Sequence, residues 1–209
     1  MPKKSELKEK GRVMRKIVLA SASERRSRIL NECGIPHEVI VSGYPEHAAE
    51  RESVWDVVAH NALKKAEVVA AESENSLVIG ADTLVSHNGQ AIGKPSDAGS
   101  AKALLRGFSG SRIEVYSGIC LIDNVTRAKA CGIDCSEIFV REITEDEIEK
   151  YFKLLGPYDK AGGFSVEGVG ALIFDDIRGS YYNILGLPMT LLYRLFKEIG
   201  LDISDHIKK

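Results

Sequence analysis

Cysteine is scarce in this chain of 209 residues: only Cys33, Cys120, Cys131 and Cys135 are present, and no two form a C-x-x-C pair. The five histidines make no H-E-x-x-H, and none stands near a cysteine at metal-ligand spacing. That excludes the usual zinc patterns, and the expectation is buried free thiols in a reducing compartment. No apolar run is long enough to cross a bilayer. Neither sign of charge prevails, with 28 Lys+Arg against 30 Asp+Glu, so there is no global basic field for long nucleic acids and any anion-binding patch must be local. A Pro/Gly/Ser-rich linker and an internal repeat are also lacking, which points to a single domain over residues 16–209. Residues 1–15 are polar and lysine-rich, without the apolar core of a secretory signal. They are expected to form a flexible basic extension, with Met14 an alternative start, on a soluble cytoplasmic protein with no membrane partner.

What is present is material for a core. With 44% hydrophobic residues, a chain of this length should bury roughly 70% of its extended surface on folding. Residues 16–20 are a short apolar run suited to a buried strand, and Ile29, Leu30 and Cys33 are spaced for one face of a helix ending at Gly34. Between them lies Ser21-Ala22-Ser23-Glu24-Arg25-Arg26, a small-residue turn followed by the start of a helix. Ser21 or Ser23 can cap that helix, and Arg25, Arg26 and Arg28 add charge to the positive end of its dipole. Phosphate suits such a seat, because guanidinium forks and free backbone N–H groups match its oxygens. An ordinary capped helix with solvated arginines fits the same residues.

Further along, residues 37–41 read as a second strand, and Glu46 sits on the polar loop that follows. Ser53 caps a long amphipathic helix to about residue 71, with Lys65 inside its apolar stripe. Snorkelling at the edge of the core is the favoured reading of that lysine, with a cleft as the alternative. Residues 77–85 form an apolar strand that embeds Asp82, and a buried carboxylate needs a cation or several donors. The hairpin His87-Asn88-Gly89-Gln90 folds Gly93-Lys94-Pro95 back toward it, so Asp82 and Lys94 either form an ion pair or share a metal and a phosphate.

Ser96 or Asp97 caps a helix to Phe108. Residues 113–122 and 126–140 make two long strands of an antiparallel ribbon with no chemistry of its own. Thr144 and Glu147 form a capping box for the next helix. The glycine-rich run over residues 158–168 is neither a P-loop nor a nucleophile elbow, and an apolar strand over residues 171–174 follows it. Pro188 opens a closing amphipathic helix over residues 190–199.

Taken together, five segments resemble the Maf family of nucleoside triphosphate pyrophosphatases, in order and at compatible spacing over residues 16–203. They are Ser21-Ala22-Ser23-Glu24-Arg25-Arg26, Gly80-Ala81-Asp82-Thr83, Gly93-Lys94-Pro95, Asp159-Lys160-Ala161-Gly162-Gly163, and Gly179-Ser180-Tyr181-Tyr182-Asn183-Ile184-Leu185-Gly186-Leu187-Pro188. The resemblance implies a two-lobed α/β fold around a long twisted mixed β-sheet, flanked by helices, with a central cleft, akin to the inosine triphosphatases. It implies a cytoplasmic homodimer, and hydrolysis of a nucleoside triphosphate to monophosphate and pyrophosphate with a divalent metal. Some members are linked to septum formation. Carried over by motif, Asp82 is the catalytic carboxylate, with Lys65 and Lys94 beside it. Glu46 and Asp82 are the metal ligands, and Ser21, Ser23, Arg25, Arg26, Thr83 and Glu167 bind substrate. Mg2+ suits two carboxylates plus phosphate oxygens, with Mn2+ or Co2+ as alternatives.

Three positions depart from the family pattern. Glu24 replaces a proline and faces the phosphate seat with like charge; Ile113 replaces a histidine; Glu167 replaces a glutamine that marks the dTTP/UTP branch. An ionised glutamate only accepts hydrogen bonds, so if Glu167 reads the base, guanine or cytosine nucleotides gain over dTTP and UTP. The alternative is that Glu167 pairs with a nearby cation. Rival functions are a non-catalytic nucleotide-binding regulator and an inosine-triphosphatase-like enzyme.

Overall fold

Strand alternation sorts the chain into two layers of helix around one sheet. In a computed structural model, residues 14–47, 52–154 and 165–208 are described. The first strand, β1 (Lys16–Ala20), runs parallel to the short β2 (Glu38–Val39) on one side and to the long β3 (Ser76–His87) on the other. β3 then pairs antiparallel with β5 (Arg112–Asp123), β5 with β6 (Lys129–Val140), and β6 with β7 (Phe174–Arg178). The hairpin strand β4 (Gln90–Ile92) adds to the outer end of β3. The result is a seven-stranded mixed sheet in the order β2-β1-β3-β5-β6-β7, with β4 beside β3.

Successive β1 residues face opposite sides, as a pleat requires. Ile17 and Leu19 join the larger core with Ile79, Leu121, Leu192 and Phe196, while Val18 and Ala20 join a smaller one with Val78, Ile122, Ala66 and Val69. The larger core is closed by α1 (Glu24–Glu32), α3 (Ala98–Phe108), α4 (Glu145–Leu154) and α5 (Met189–Glu198), and the smaller by α2 (Val54–Glu72). α2 lies unusually close to the sheet. A Cβ on Gly80 would stand 2.2 Å from the Ala62 carbonyl oxygen, and one on Gly118 2.4 Å from that of Val58. Two glycines at those positions therefore let the helix backbone touch β3 and β5.

The expected caps are in place: Ser53 accepts from the Asp56 N–H, Asp97 from that of Ser100, and Thr144 and Glu147 close a reciprocal box. That box and Arg141 hold the Glu147 carboxyl down to about 2. Four expectations change. The second strand shrinks to two exposed residues, because it lies on the open edge with only β1 to pair. Of the strand expected over residues 171–174 only Phe174 is strand: Gly168, at φ +61, starts a 3-10 helix (Gly168–Ile173), and β7 begins where that ends. Cys120 and Cys131 face each other across β5 and β6 and are joined as a disulfide, leaving Cys33 and Cys135 as free thiols raised by burial. The β5–β6 pair is no idle ribbon, since β5 is central to the sheet and touches the site. Residues 1–13, and most of the glycine-rich run at 158–164, lie outside the described residues.

Candidate active site

A cavity of about 980 Å³ opens over the C-terminal end of β1 and the middle of β3. Its lining gathers every expected site residue: Ser21, Ser23, Arg25, Arg26, Glu46, Lys65, Asp82, Thr83, Lys94 and Glu167. They come from stretches far apart in the sequence, brought together because β1 ends alongside the middle of the parallel β3, with Ala20 paired to Gly80. Asp82 follows two residues later and is 5% exposed.

The carboxylate of Asp82 is held at both oxygens. Its Oδ1 accepts from Lys65 Nζ at 2.8 Å, and its Oδ2 from Asn61 Nδ2 at 2.9 Å. Lys65 Nζ also donates to Glu46 Oε1 at 2.6 Å, so one ammonium bridges two carboxylates. Lys65 is 6% exposed and reaches into the cleft, which corrects the snorkelling expectation. Burial is tolerable because both counter-charges are in contact. Lys65 rather than Lys94 is thus the ion-pair partner of Asp82; Lys94 is exposed on the cavity wall.

Across the cavity stands the first turn of α1. Ser23 occupies its N-cap position but makes no side-chain cap bond, and Ser21 Oγ accepts from the Ser23 N–H instead. The N–H groups of the first turn are therefore left uncapped by Ser23, as an anion seat requires. Arg26 is buried and committed to the fold. It donates to Gly186 O at 2.8 Å, Ser21 Oγ at 2.8 Å, Ala81 O at 3.1 Å and Thr83 Oγ1 at 2.9 Å. Burial pushes its guanidinium below the ordinary arginine value, with Asp82 and Glu46 opposing that shift. Arg26 thus ties β1, β3 and the Gly186 turn into one wall, and the freer arginines are Arg25 and Arg28. Both engage Glu167: Arg28 Nη2 donates to its Oε1, and Arg25 Nε lies 3.7 Å from its Oε2. Of the two readings of Glu167, the structure has the ion pair.

Sequence reasoning passed over some supporting residues. Asn61 stood unremarked in the apolar stripe of α2; the signal was an amide one helical turn before Lys65, on the same buried face. Ser117 of β5 bonds Thr83 Oγ1 at 2.9 Å and donates to Asn183 O at 2.9 Å, and nothing local announces that role. Glu24, exposed in the first turn of α1, lines the same cavity.

The donor set suits a hard cation only in part. Among the described residues no group of three or more His, Cys, Asp and Glu side chains is placed to hold a metal ion. Glu46 and Asp82 alone, bridged by Lys65, fit an ion that arrives with substrate oxygens, as Mg2+ does, and not a self-sufficient cage.

Known proteins resemble this chain over most of its length. A dTTP/UTP pyrophosphatase of Bacillus cereus (strain ATCC 10987 / NRS 248) is 36% identical over 95% of this chain and 97% of its own length. One of Bacillus anthracis (strain CDC 684 / NRRL 3495) is 38% identical over 91% of this chain and 99% of its own. A solved nucleoside-triphosphatase / dITP/XTP pyrophosphatase from Mycobacterium abscessus covers 61% of this chain and 74% of its own at 17% identity, with a TM-score of 0.38, too distant to add to the case. The Maf-like protein family matches residues 16–199, the whole span of the sheet and of the cavity, and the chain belongs to that family.

Proposed function

We propose that the protein is a nucleoside triphosphate pyrophosphatase, a hydrolase that cleaves its substrate between the α and β phosphates. One observation carries the reading: a buried carboxylate, ion-paired to a lysine that also binds Glu46, faces an uncapped helix N-terminus flanked by arginines across one cavity. A triphosphate carries about four negative charges, and the cations along this cavity offset the charge that develops on the leaving group. The triphosphate lies between the N-terminus of α1 and Lys94, held by Ser21, Ser23, Arg25 and Thr83. Water attacks the α phosphorus, its proton passes to the Asp82 carboxylate, and the α–β bridging P–O bond breaks to release pyrophosphate. Glu46 and Asp82 would hold a divalent ion, Mg2+ first among candidates, which supplies charge neutralisation at the phosphates when bound. Lys65 keeps the two carboxylates apart and aligned.

The relatives' names make dTTP and UTP the first substrates to try. We extend the reading to a single catalytic domain over residues 16–209 in a cytoplasmic homodimer, which light scattering on the purified protein checks. Among the described residues no helix is long and apolar enough to cross a membrane.

The test is pyrophosphate release from a nucleotide panel with Mg2+ or Mn2+, run in 18O-water. Label is expected in the monophosphate and not in pyrophosphate, and Asp82→Asn is expected to lower kcat by about 10³-fold or more with the fold intact. Label in pyrophosphate, or an Asp82→Asn protein that turns over normally, would refute the reading.

A further inference from the structure

Asn61 sits on α2, 1% exposed, in a buried stripe whose other members, Lys65 apart, are apolar, among them Val57, Val58, Ala62, Ala66 and Val69. A buried amide there costs free energy unless its hydrogen-bonding groups are met, and a leucine would fill the stripe better. Every group is met. Its Oδ1 accepts from the His47 N–H at 2.9 Å; its Nδ2 donates to His47 O at 3.1 Å and to Asp82 Oδ2 at 2.9 Å. The partners fix which end is nitrogen, since a carboxylate and a carbonyl can only accept and a backbone N–H can only donate.

The two bonds to His47 reproduce one rung of a β-ladder, with a side-chain amide standing for a peptide group. They clamp the loop at the residue next to Glu46. Lys65, one turn further along α2, binds Glu46 and the other oxygen of Asp82. The bonds close a ring: Asp82 to Asn61, Asn61 to the loop backbone, the loop to Glu46, Glu46 to Lys65, and Lys65 back to Asp82. Lys65 holds the carboxylate of Glu46 but not the backbone that carries it, since the contact is at the tip of a long, exposed side chain. Asn61 holds the backbone from which Glu46 hangs, and it also fixes the rotation of Asp82. Being neutral, it does so without cancelling the net negative charge that Asp82, Glu46 and Lys65 leave for a cation.

We infer that Asn61 is a positioning residue for this reaction: it holds Asp82 and the Glu46 loop in register, so that both carboxylates present oxygens to the same ion and substrate. The inference rests on the roles of Asp82 and Glu46 proposed above. Asn61→Leu keeps the branched four-atom side chain, at a larger volume, and removes all three bonds; Asn61→Ser is the smaller, polar alternative should leucine disturb the packing. Steady-state pyrophosphate release from dTTP is measured beside binding of Mn2+ in complex with the non-hydrolysable α,β-methylene analogue of dTTP, followed by electron paramagnetic resonance of the protein-bound ion. Both variants are expected to show wild-type circular dichroism, a kcat and a Mn2+ affinity each reduced about 10–100-fold, and a nucleotide KM little changed. Because Asn61 acts in part through Glu46, the losses of Glu46→Gln and Asn61→Leu should combine to less than their product in the double variant. Wild-type kcat and Mn2+ affinity in folded Asn61 variants would overturn the inference, as would losses that multiply in the double variant. Asp82→Asn separates the two failures. An inactive Asp82→Asn beside fully active Asn61 variants sinks only the role of Asn61, whereas an active Asp82→Asn sinks the proposed function and this inference with it.

Discussion

Glu167 shows how one charge on the rim of a site changes what its neighbours can do. Its carboxylate holds Arg28 and lies 3.7 Å from Arg25, so it offsets part of the positive field that we propose holds a polyphosphate. The side chains are partly exposed, at 31% for Glu167 and 51% for Arg28, which limits the effect to that of a solvated pair. Replacing it by glutamine removes the charge and keeps the shape. Glu167→Gln is therefore expected to lower the KM for nucleoside triphosphates by about 3–5-fold, the worth of roughly 1 kcal/mol. The ranking of bases should not change, because a carboxylate spent on two arginines is not reading a base edge. A panel of kcat/KM values for both proteins checks this, and a swing toward dTTP and UTP in the variant would restore base reading to Glu167. Arg26 teaches the complementary lesson. In sequence it is indistinguishable from Arg25, yet folding spends its donors on Ser21, Ala81, Thr83 and Gly186. Gly186 makes room for it, since at φ +96 and with a Cβ that would stand 3.0 Å from Thr83 Oγ1, no larger residue fits without displacement.

Among elements, α2 governs the site because it carries both Asn61 and Lys65, and its height above the sheet is set by glycine. A methyl group on Gly80 would meet the Ala62 carbonyl oxygen at 2.2 Å and the Ala66 nitrogen at 2.7 Å, both backbone atoms that cannot swing aside. The helix must lift. Gly80→Ala is expected to cost about 1–3 kcal/mol, or a fall in Tm of roughly 2–10 °C for a chain of this size. It should also lower kcat about 10-fold or more, since Lys65 and Asn61 move away from Asp82. Calorimetry and pyrophosphate release check the pair; a destabilised variant with wild-type kcat would show that the helix height does not set the geometry. Much at this scale was legible. The stripe of α2, the β3–β4 hairpin, the caps at Ser53, Asp97 and Thr144, and the strand carrying Asp82 all follow from local spacing and capping chemistry. What was not legible depends on which elements become neighbours. The partners of Lys65, the Cys120–Cys131 pairing and the bond from Ser117 to Thr83 are decided by helix docking and strand register, which no short window of residues records.

For the whole molecule, the cavity is a place where remote parts of the chain meet, and that gives its ligand a measurable hold on the fold. Residues of β1, α1, the loop before α2, α2, β3, β5 and the segment around Gly186 line it together, and a polyphosphate bound as proposed above contacts several of them only when all are in place. The unfolded chain offers no such constellation, so a nucleotide binds the native state alone and stabilises it by mass action. A non-hydrolysable α,β-methylene triphosphate at 100 times its Kd should add about 2.7 kcal/mol, which for a protein of this length is an upward Tm shift of roughly 5–10 °C. The corresponding monophosphate reaches fewer of those walls and should shift Tm much less at equal concentration. Because the bound anion is held largely by charge, the shift should shrink as ionic strength rises from 50 to 500 mM. Differential scanning calorimetry with and without Mg2+ reads all three effects. Equal shifts from triphosphate and monophosphate would mean that the ligand is gripped by its nucleoside, leaving the uncapped turn of α1 and its arginines without the part in phosphate binding assigned to them.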